Sequence, residues 1–437
     1  MKRLKFSWFL IAIILFINIT NVITVKAEEK APALSTEGVV VLNSNTGEVV
    51  YAKNPDQRYF PASTTKVLTA LIVIEHCNLA ENVTIGKNPP FADGTSIGLK
   101  EGEVFTVKEL LLGLILESGN DCAEALAEHV AGTSEEFAKL MNIKAKELGA
   151  TNSNFKNPSG LPDEEHYTTP RDLALIMNGA IKNETFHEIC QTKILQLQPS
   201  TVTGEQRWIN NKNAILLENS NYYYPYAECS KKGYTIAAKF TNVISCTKDG
   251  DTYVGSFLRG ENIDSVYSDV RTVFDYVFNN FKNVKLYSAD ETVGEIKIDD
   301  DTILPLKVTK DIYYTVARDK ESSITNSIEI KQPTNIETKS FKTGDIVTTG
   351  TIKVNNSNYV TIDLASTIDR KYIPPKTEIT NYLDDHKISI SVSILIAIVI
   401  LLILRILYIR RKRARIRKLK YYKMKQKMRQ QRKKRTS

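Results

Sequence analysis

The stretch ISISVSILIAIVILLILRILYI (388–409) carries one charge in 22 residues, Arg405, and limits the architecture more than any other segment. About 20 apolar residues cross a bilayer as a helix, whereas a buried helix of a globular core is seldom so long or so uniformly apolar. Asp384 and Asp385 precede the run, and from Arg405 to the end there are 17 Lys/Arg and no acid. The positive-inside rule then puts the basic tail 410–437 in the cytoplasm and residues 28–387 outside a cell membrane crossed once. The tail also suits contact with anionic lipid headgroups. At the other end, Lys2, Arg3 and Lys5 precede an apolar run from Phe6 to Ile17, and VKA offers a cut after Ala27. Residues 1–27 therefore read as a signal peptide. Because apolar residues continue to Val25, an uncleaved N-terminal anchor stays open.

The charge of the exported part differs from that of the whole. The 437 residues sum to +8, but between residues 28 and 404 only 37 Lys/Arg face all 50 Asp/Glu. An acidic globular part lacks the basic face that nucleic acid requires, so no nucleic-acid partner is expected. The five cysteines (77, 122, 190, 229, 246) show no metal-ligand spacing, and the five histidines are scattered. No metal and no cofactor are expected. Cys229 and Cys246 can face each other across a hairpin turning near Ala237–Ala238, which leaves open a disulfide or two separate thiols.

Two β-branched runs around Asn43–Gly47 predict a hairpin. Helical patterns follow at 63–78, 106–117, 120–131, 134–148 and 170–182, with 150–169 a Pro- and Gly-containing loop. The runs YTIAAKF and NVISCTK (234–248) read as strands leading to TYVGSFLRG, and 263–282 as a closing helix. Strands at both ends with helices between them predict one α/β domain on an antiparallel sheet, over 30–283. From 285 to 376, short alternating strands such as ILPLKVTK and YVTIDLA predict a small all-β domain.

Ser63-Thr64-Thr65-Lys66 opens the first helix. A serine hydroxyl is a weak nucleophile until a base takes its proton, and a lysine at i+3 lies on the same helix face. Taken alone, the pair also fits a helix cap beside a solvated lysine. Ser118-Gly119-Asn120 supplies a second hydroxyl and an amide, and Lys231-Lys232-Gly233 begins a strand whose glycine admits a close backbone approach.

In that order, PASTTK, SGN and KKG resemble the motif set of the penicillin-binding proteins and serine β-lactamases. Their flanks, including GTSIGLKEGEVFTVKELLLGLILESGND and NPSGLPDEEHYTTPRDLALI, resemble more closely the D-alanyl-D-alanine carboxypeptidases, the low-molecular-mass serine-type members. The resemblance spans about 35–280 and, more loosely, 285–375. It implies an α+β transpeptidase fold, an antiparallel sheet of about five strands with a helical subdomain, followed by a β-rich C-terminal domain.

It also implies that Ser63 attacks the D-Ala-D-Ala bond of the peptidoglycan stem peptide, with Lys66 as base and Ser118 as proton relay. Asn120, Lys231, Lys232, Gly233 and Tyr234 would hold the substrate, Ser63 and Tyr234 N–H groups would form the oxyanion hole, and β-lactams would acylate Ser63. His166 and Asp172 would fix loop structure. The departure is Lys232, where the family usually has Thr. It can meet the substrate carboxylate as a cation, crowd the cleft, or point to the opposite face from Lys231. The alternatives are accordingly a weak or inactive relative that binds wall peptide, and, lower still in the absence of an E-x-x-L-N loop, a β-lactamase.

Overall fold

The computed structural model describes residues 30–299, 302–374 and 378–433. The expected signal peptide 1–27 lies outside them. The chain forms two compact units, the first running to Val293 with Lys307–Ile330 and Thr349–Ile362. The second comprises Gly294–Leu306, Lys331–Thr348 and the residues from Asp363 onward.

In the first unit, β1 (Gly38–Asn43) and β2 (Val49–Lys53) make a hairpin with Val39 opposite Lys53. A tight 3-10 turn, Ala62–Thr65, then runs into α1 (Lys66–His76). β3 (Asn82–Thr84) and β4 (Val104–Thr106) form a short ribbon before α2 (Val107–Leu112). The α2 start is a capping box: the Glu109 N–H donates to Thr106 Oγ1 while the Thr106 N–H donates to Glu109. Beyond α2 the chain widens to π geometry over Gly113–Glu117 and turns through Ser118, left-handed at φ 68°.

Four helices follow: α3 (Asn120–Ala131), α4 (Ser134–Glu147), α5 (Pro170–Ala180) and α6 (Glu184–Gln191). Thr133, Thr169 and Asn183 accept N-terminal N–H groups of α4, α5 and α6, and Pro170 takes the first position of α5, where a missing N–H costs nothing. After the ribbon β5 (Ile194–Gln196) and β6 (Trp208–Asn210) come β7 (Ala227–Thr235), β8 (Lys239–Lys248), β9 (Asp251–Gly260) and α7 (Ile263–Asn280).

The principal sheet has the order β2-β1-β9-β8-β7, with antiparallel pairs throughout. Its alternation separates two cores. Val40, Leu42, Val243, Val254 and Leu258 pack on the side of α1, α3 and α5. Their neighbours Val39, Val41, Ile244, Tyr253 and Phe257 pack against Val266, Val270 and Phe274 of α7. Both faces of β1 are therefore apolar and buried, which explains its unbroken GVVVLN run.

The chain continues as strands: β10 (Phe281–Tyr287), β11 (Thr292–Lys297), β12 (Ile303–Val308), β13 (Ile312–Ala317), β14 (Asn326–Ile330), β15 (Ile346–Val354) and β16 (Ser357–Ser366). β10 pairs antiparallel with β13, and β14 with β15 from Asn326 opposite Val354 to Ile330 opposite Gly350. Strict burial alternation along β15 matches its TTGTIKV pattern. The second unit ends in α8 (Glu378–Asp385) and α9 (Lys387–Lys433). α9 is long and apolar enough to cross a membrane, and its apolar window is wholly unburied. The helix does not stop at 409; it continues through the basic tail.

Three local expectations need correction. YTIAAKF is not one strand: Tyr234 and Thr235 end β7, Ile236–Ala238 turn, and Lys239 begins β8. α6 and the β5–β6 ribbon were not anticipated, because their short elements carry too little periodicity. The β7–β8 register runs unbroken from Thr235 opposite Lys239 to Cys229 opposite Ser245, a bulge beyond it places Ala227 opposite Cys246, and all five thiols are free.

Asp269 of α7 fastens the entry to β1. Its carboxylate accepts from the N–H and Oγ of Ser35 and from the N–H and Oγ1 of Thr36, at 2.7–3.1 Å. Replacing it leaves two buried donors of Thr36 unpaired. Asp269→Ala should lower unfolding free energy by about 3 kcal/mol in urea titrations, and Asp269→Asn by less.

Candidate active site

The 3-10 turn before α1 presents Ser63 at the mouth of a cleft of about 390 Å³ that Ser118, Lys231, Lys232, Gly233 and Tyr234 also line. Lys66, the first residue of α1, is fully buried. Its Nζ lies 3.0 Å from Ser63 Oγ, 2.6 Å from Asn120 Oδ1 and 2.6 Å from the Ser159 carbonyl. Burial first, and the positive charge of Lys231 second, hold this amine well below the usual lysine range.

The geometry suits either protonation state. As ammonium, three protons meet three acceptors. Once one proton leaves, two N–H groups stay on the 2.6 Å acceptors and the lone pair faces the Ser63 hydroxyl.

Asn120 starts α3 and is held from two sides. Its backbone N–H donates to the Thr95 carbonyl at 2.6 Å, and its side-chain amide donates to the Asp93 carbonyl. Its Oδ1 is thereby left for Lys66. Ser118, in the left-handed turn before α3, accepts from Lys231 Nζ at 2.9 Å. Lys231 is buried, and that burial together with the charge of Lys232 pulls its amine down to about 7.

Lys232 lines the same cleft as Lys231 rather than being confined to the reverse face. Its amine is lowered by burial and by the charge of Lys212, another lining residue. Its backbone N–H donates to Asn213 Oδ1 at 3.2 Å. Three lysines thus converge where, among the described lining residues, Glu117, 3.7 Å from Lys212, is the one carboxylate.

Gly233 explains how β7 reaches the serine. A Cβ there would lie 2.7 Å from the Ser63 backbone nitrogen and 2.6 Å from Thr241 Oγ1, so any side chain would push the strand away. Gly160 does the same from the other side: at φ +87° its Cβ would fall 1.9 Å from the Ala62 carbonyl oxygen. Tyr234 is more than half exposed and stacks on Phe240, ring centroids 4.6 Å apart.

Four contributors were not singled out from the sequence: the Ser159 carbonyl, Asn213, Lys212 and Gly160. The first is a backbone atom with no side-chain signature. NPSG within the loop was the one visible signal for it.

His166 and Asp172 brace that loop. His166 Nδ1 accepts the Lys156 N–H at 3.2 Å, so its proton sits on Nε2 and points to Thr65 Oγ1 at 3.0 Å. Asp172 accepts from the Asn152 N–H and Ser153 Oγ, both at 2.7 Å.

The D-alanyl-D-alanine carboxypeptidase family model matches residues 24–258, and the model for the C-terminal domain of penicillin-binding protein 5 matches 281–372. The D-alanyl-D-alanine carboxypeptidase DacF of Bacillus subtilis is 32% identical over 305 residues, 68% of this chain and 76% of its own length. The solved structure of the carboxypeptidase DacD from Francisella tularensis gives a TM-score of 0.60 at 25% identity, covering 79% of this chain and 95% of that one. The Streptomyces K15 DD-transpeptidase gives 0.53 at 32% identity, over 57% and 99%.

The burial of His166 lowers its imidazole to about 4, against an ordinary 6.5. A base depressed in the folded state binds more protons when unfolded, so its contribution is complete above pH 6.5 and lost as pH falls toward 4. Denaturant titrations between pH 7 and 4 should show a loss approaching about 3 kcal/mol from this group. His166→Gln should remove that part of the pH slope.

Proposed function

The chain belongs to the D-alanyl-D-alanine carboxypeptidase family, and from that premise we propose how its own residues remove the terminal D-alanine of a peptidoglycan stem peptide. The observation that carries this reading is the Lys66 amine, desolvated and fixed by two 2.6 Å acceptors with its third direction on Ser63 Oγ.

Ser63 Oγ attacks the carbonyl carbon of the penultimate D-alanine while its proton passes to neutral Lys66. The oxyanion forms between the Ser63 and Tyr234 N–H groups, where Gly233 lets the two segments approach. Collapse breaks the C–N bond, and the leaving D-alanine nitrogen takes its proton through Ser118, whose hydroxyl is tied to Lys231. Asn120 binds the stem-peptide amide. Lys231 and Lys232 meet the carboxylate of the departing residue, a role suited to a cleft with excess positive charge. Water, activated by the same lysine, then cleaves the ester and restores Ser63. A β-lactam follows the first half of this path, opening its ring amide onto Ser63.

α9 supplies the anchor. The catalytic unit stands outside the membrane and the cations beyond Tyr408 lie within, the arrangement that the distribution of Lys/Arg favours.

The competing reading, a weak or inactive binder of wall peptide, rests on Lys232 alone. If Lys232 meets the carboxylate, Lys232→Thr should lower kcat/KM for D-alanine release about tenfold, chiefly through KM. A marked gain in that variant would favour the competing reading. Ser63→Ala should abolish both D-alanine release and covalent labelling by fluorescent penicillin. Label retained on Ser63→Ala would refute the assignment of the nucleophile.

A further inference from the structure

Among the described residues, Cys77, Glu81 and His129 bring a thiol, a carboxylate and an imidazole within 4.8 Å of one another. They come from three segments. Cys77 caps the C-terminus of α1, His129 lies in the last turn of α3, and Glu81 precedes β3. The Glu81 backbone is itself fixed, its N–H donating to the Asn78 carbonyl at 3.0 Å and its carbonyl accepting from the Val107 N–H at 2.9 Å. The fold thus fixes the Glu81 backbone, and its carboxylate reaches His129.

The spacing fits a small ion. His129 Nε2 and Glu81 Oε1 are 3.3 Å apart. Two ligands at about 2.0–2.1 Å from a tetrahedral zinc are separated by roughly that distance. A sulfur at about 2.3 Å then requires the thiol to close by no more than roughly 1 Å. A thiolate, an imidazole and a carboxylate form a donor set of intermediate softness, which suits Zn²⁺ and not the oxygen-seeking Mg²⁺ or Ca²⁺. Cys77 and His129 are partly exposed and Glu81 is exposed, so an ion can enter from solvent. A helix-end ion pair accounts for His129 and Glu81 but gives the adjacent thiol nothing to do.

We propose that Cys77, Glu81 and His129 form a three-ligand zinc site, with water in the fourth position, that joins α1 to α3. The placement has a consequence for the active site. α1 begins with Lys66 and α3 with Asn120, and these two are already joined at 2.6 Å. The zinc ties the same two helices at their other ends, so that each is held at both termini. Binding replaces the thiol proton, which passes to solvent, and involves no change of oxidation state.

The test uses detergent-solubilised full-length protein stripped with chelator and titrated with Zn²⁺ alone. Expected are one equivalent bound, a higher melting temperature, and alkylation of Cys77, followed by peptide mass spectrometry, slowed at least about tenfold. Cys77→Ser and His129→Ala should lose the bound equivalent, and Glu81→Gln should weaken it about tenfold. Each variant is checked for a cooperative melt without zinc. Since Glu81 is exposed, Glu81→Gln serves if the other two do not fold. Unchanged Cys77 alkylation with zinc present, wild-type stoichiometry in folded Cys77→Ser or His129→Ala, or unchanged zinc affinity in Glu81→Gln would overturn the proposal. Neither outcome depends on which residue is the nucleophile.

Discussion

A lysine amine with no exposure to water is the constraint around which this molecule is organised. Burying a charged amine without partners is prohibitive, so Lys66 requires acceptors, and the fold draws them from three separate segments. Ser63 lies in the 3-10 turn that leads into α1, Asn120 opens another helix, and Ser159 is in the loop before α5. Each segment needs its own support. The loop depends on His166 and Asp172, α3 on the Thr95 and Asp93 carbonyls, and the 3-10 turn on the two glycines that flank it. The low proton affinity that lets the amine act as a base follows from the same burial.

The parts of this arrangement set by neighbours in sequence were legible beforehand. The i+3 spacing of Ser63 and Lys66 is helix geometry, and the alternation of GVVVLN and its partners is sheet geometry. Ser118, Asn120 and Lys231 came into view through their motifs, and the structure brings Ser118 and Lys231 to one cleft with Ser63 and Asn120 onto the Lys66 amine. What the sequence concealed depends on long-range register or on backbone atoms. The Ser159 carbonyl looks like any other carbonyl until the loop folds. Lys212 and Asn213 occupy a segment of no recognisable pattern. The turn Ile236–Ala238 contains no Gly, Pro, Asn or Asp, so YTIAAKF read as one strand run although a hairpin was expected to turn near Ala237–Ala238, and the β7–β8 pairing fixes its bounds. The register that leaves this turn puts Cys229 opposite Ser245, one place from Cys246, an offset that no residue type announces.

Lys232 shows how a single position can leave the chemistry intact and alter its electrostatics. Its charge lowers the proton affinity of Lys231, its neighbour in sequence, and both face a cleft that also holds Lys212. Clustered cations repel one another when the cleft is empty and are relieved when an anion enters, so recognition is coupled to protonation. The residue that departs from the family pattern therefore acts through its charge as well as its shape.

The continuity of α9 bears on what its terminal cations can reach. A flexible tail could fold back and lay all its charges on a lipid surface. A helix that leaves the bilayer without a break carries each residue about 1.5 Å farther away, whereas electrostatic attraction decays over about 8 Å at physiological salt. Along the membrane normal only the first five or six residues beyond the headgroups would feel the lipid strongly. For a spanning α9, the cations farther along the described helix, to Arg429, would stand on a stiff rod beyond that range.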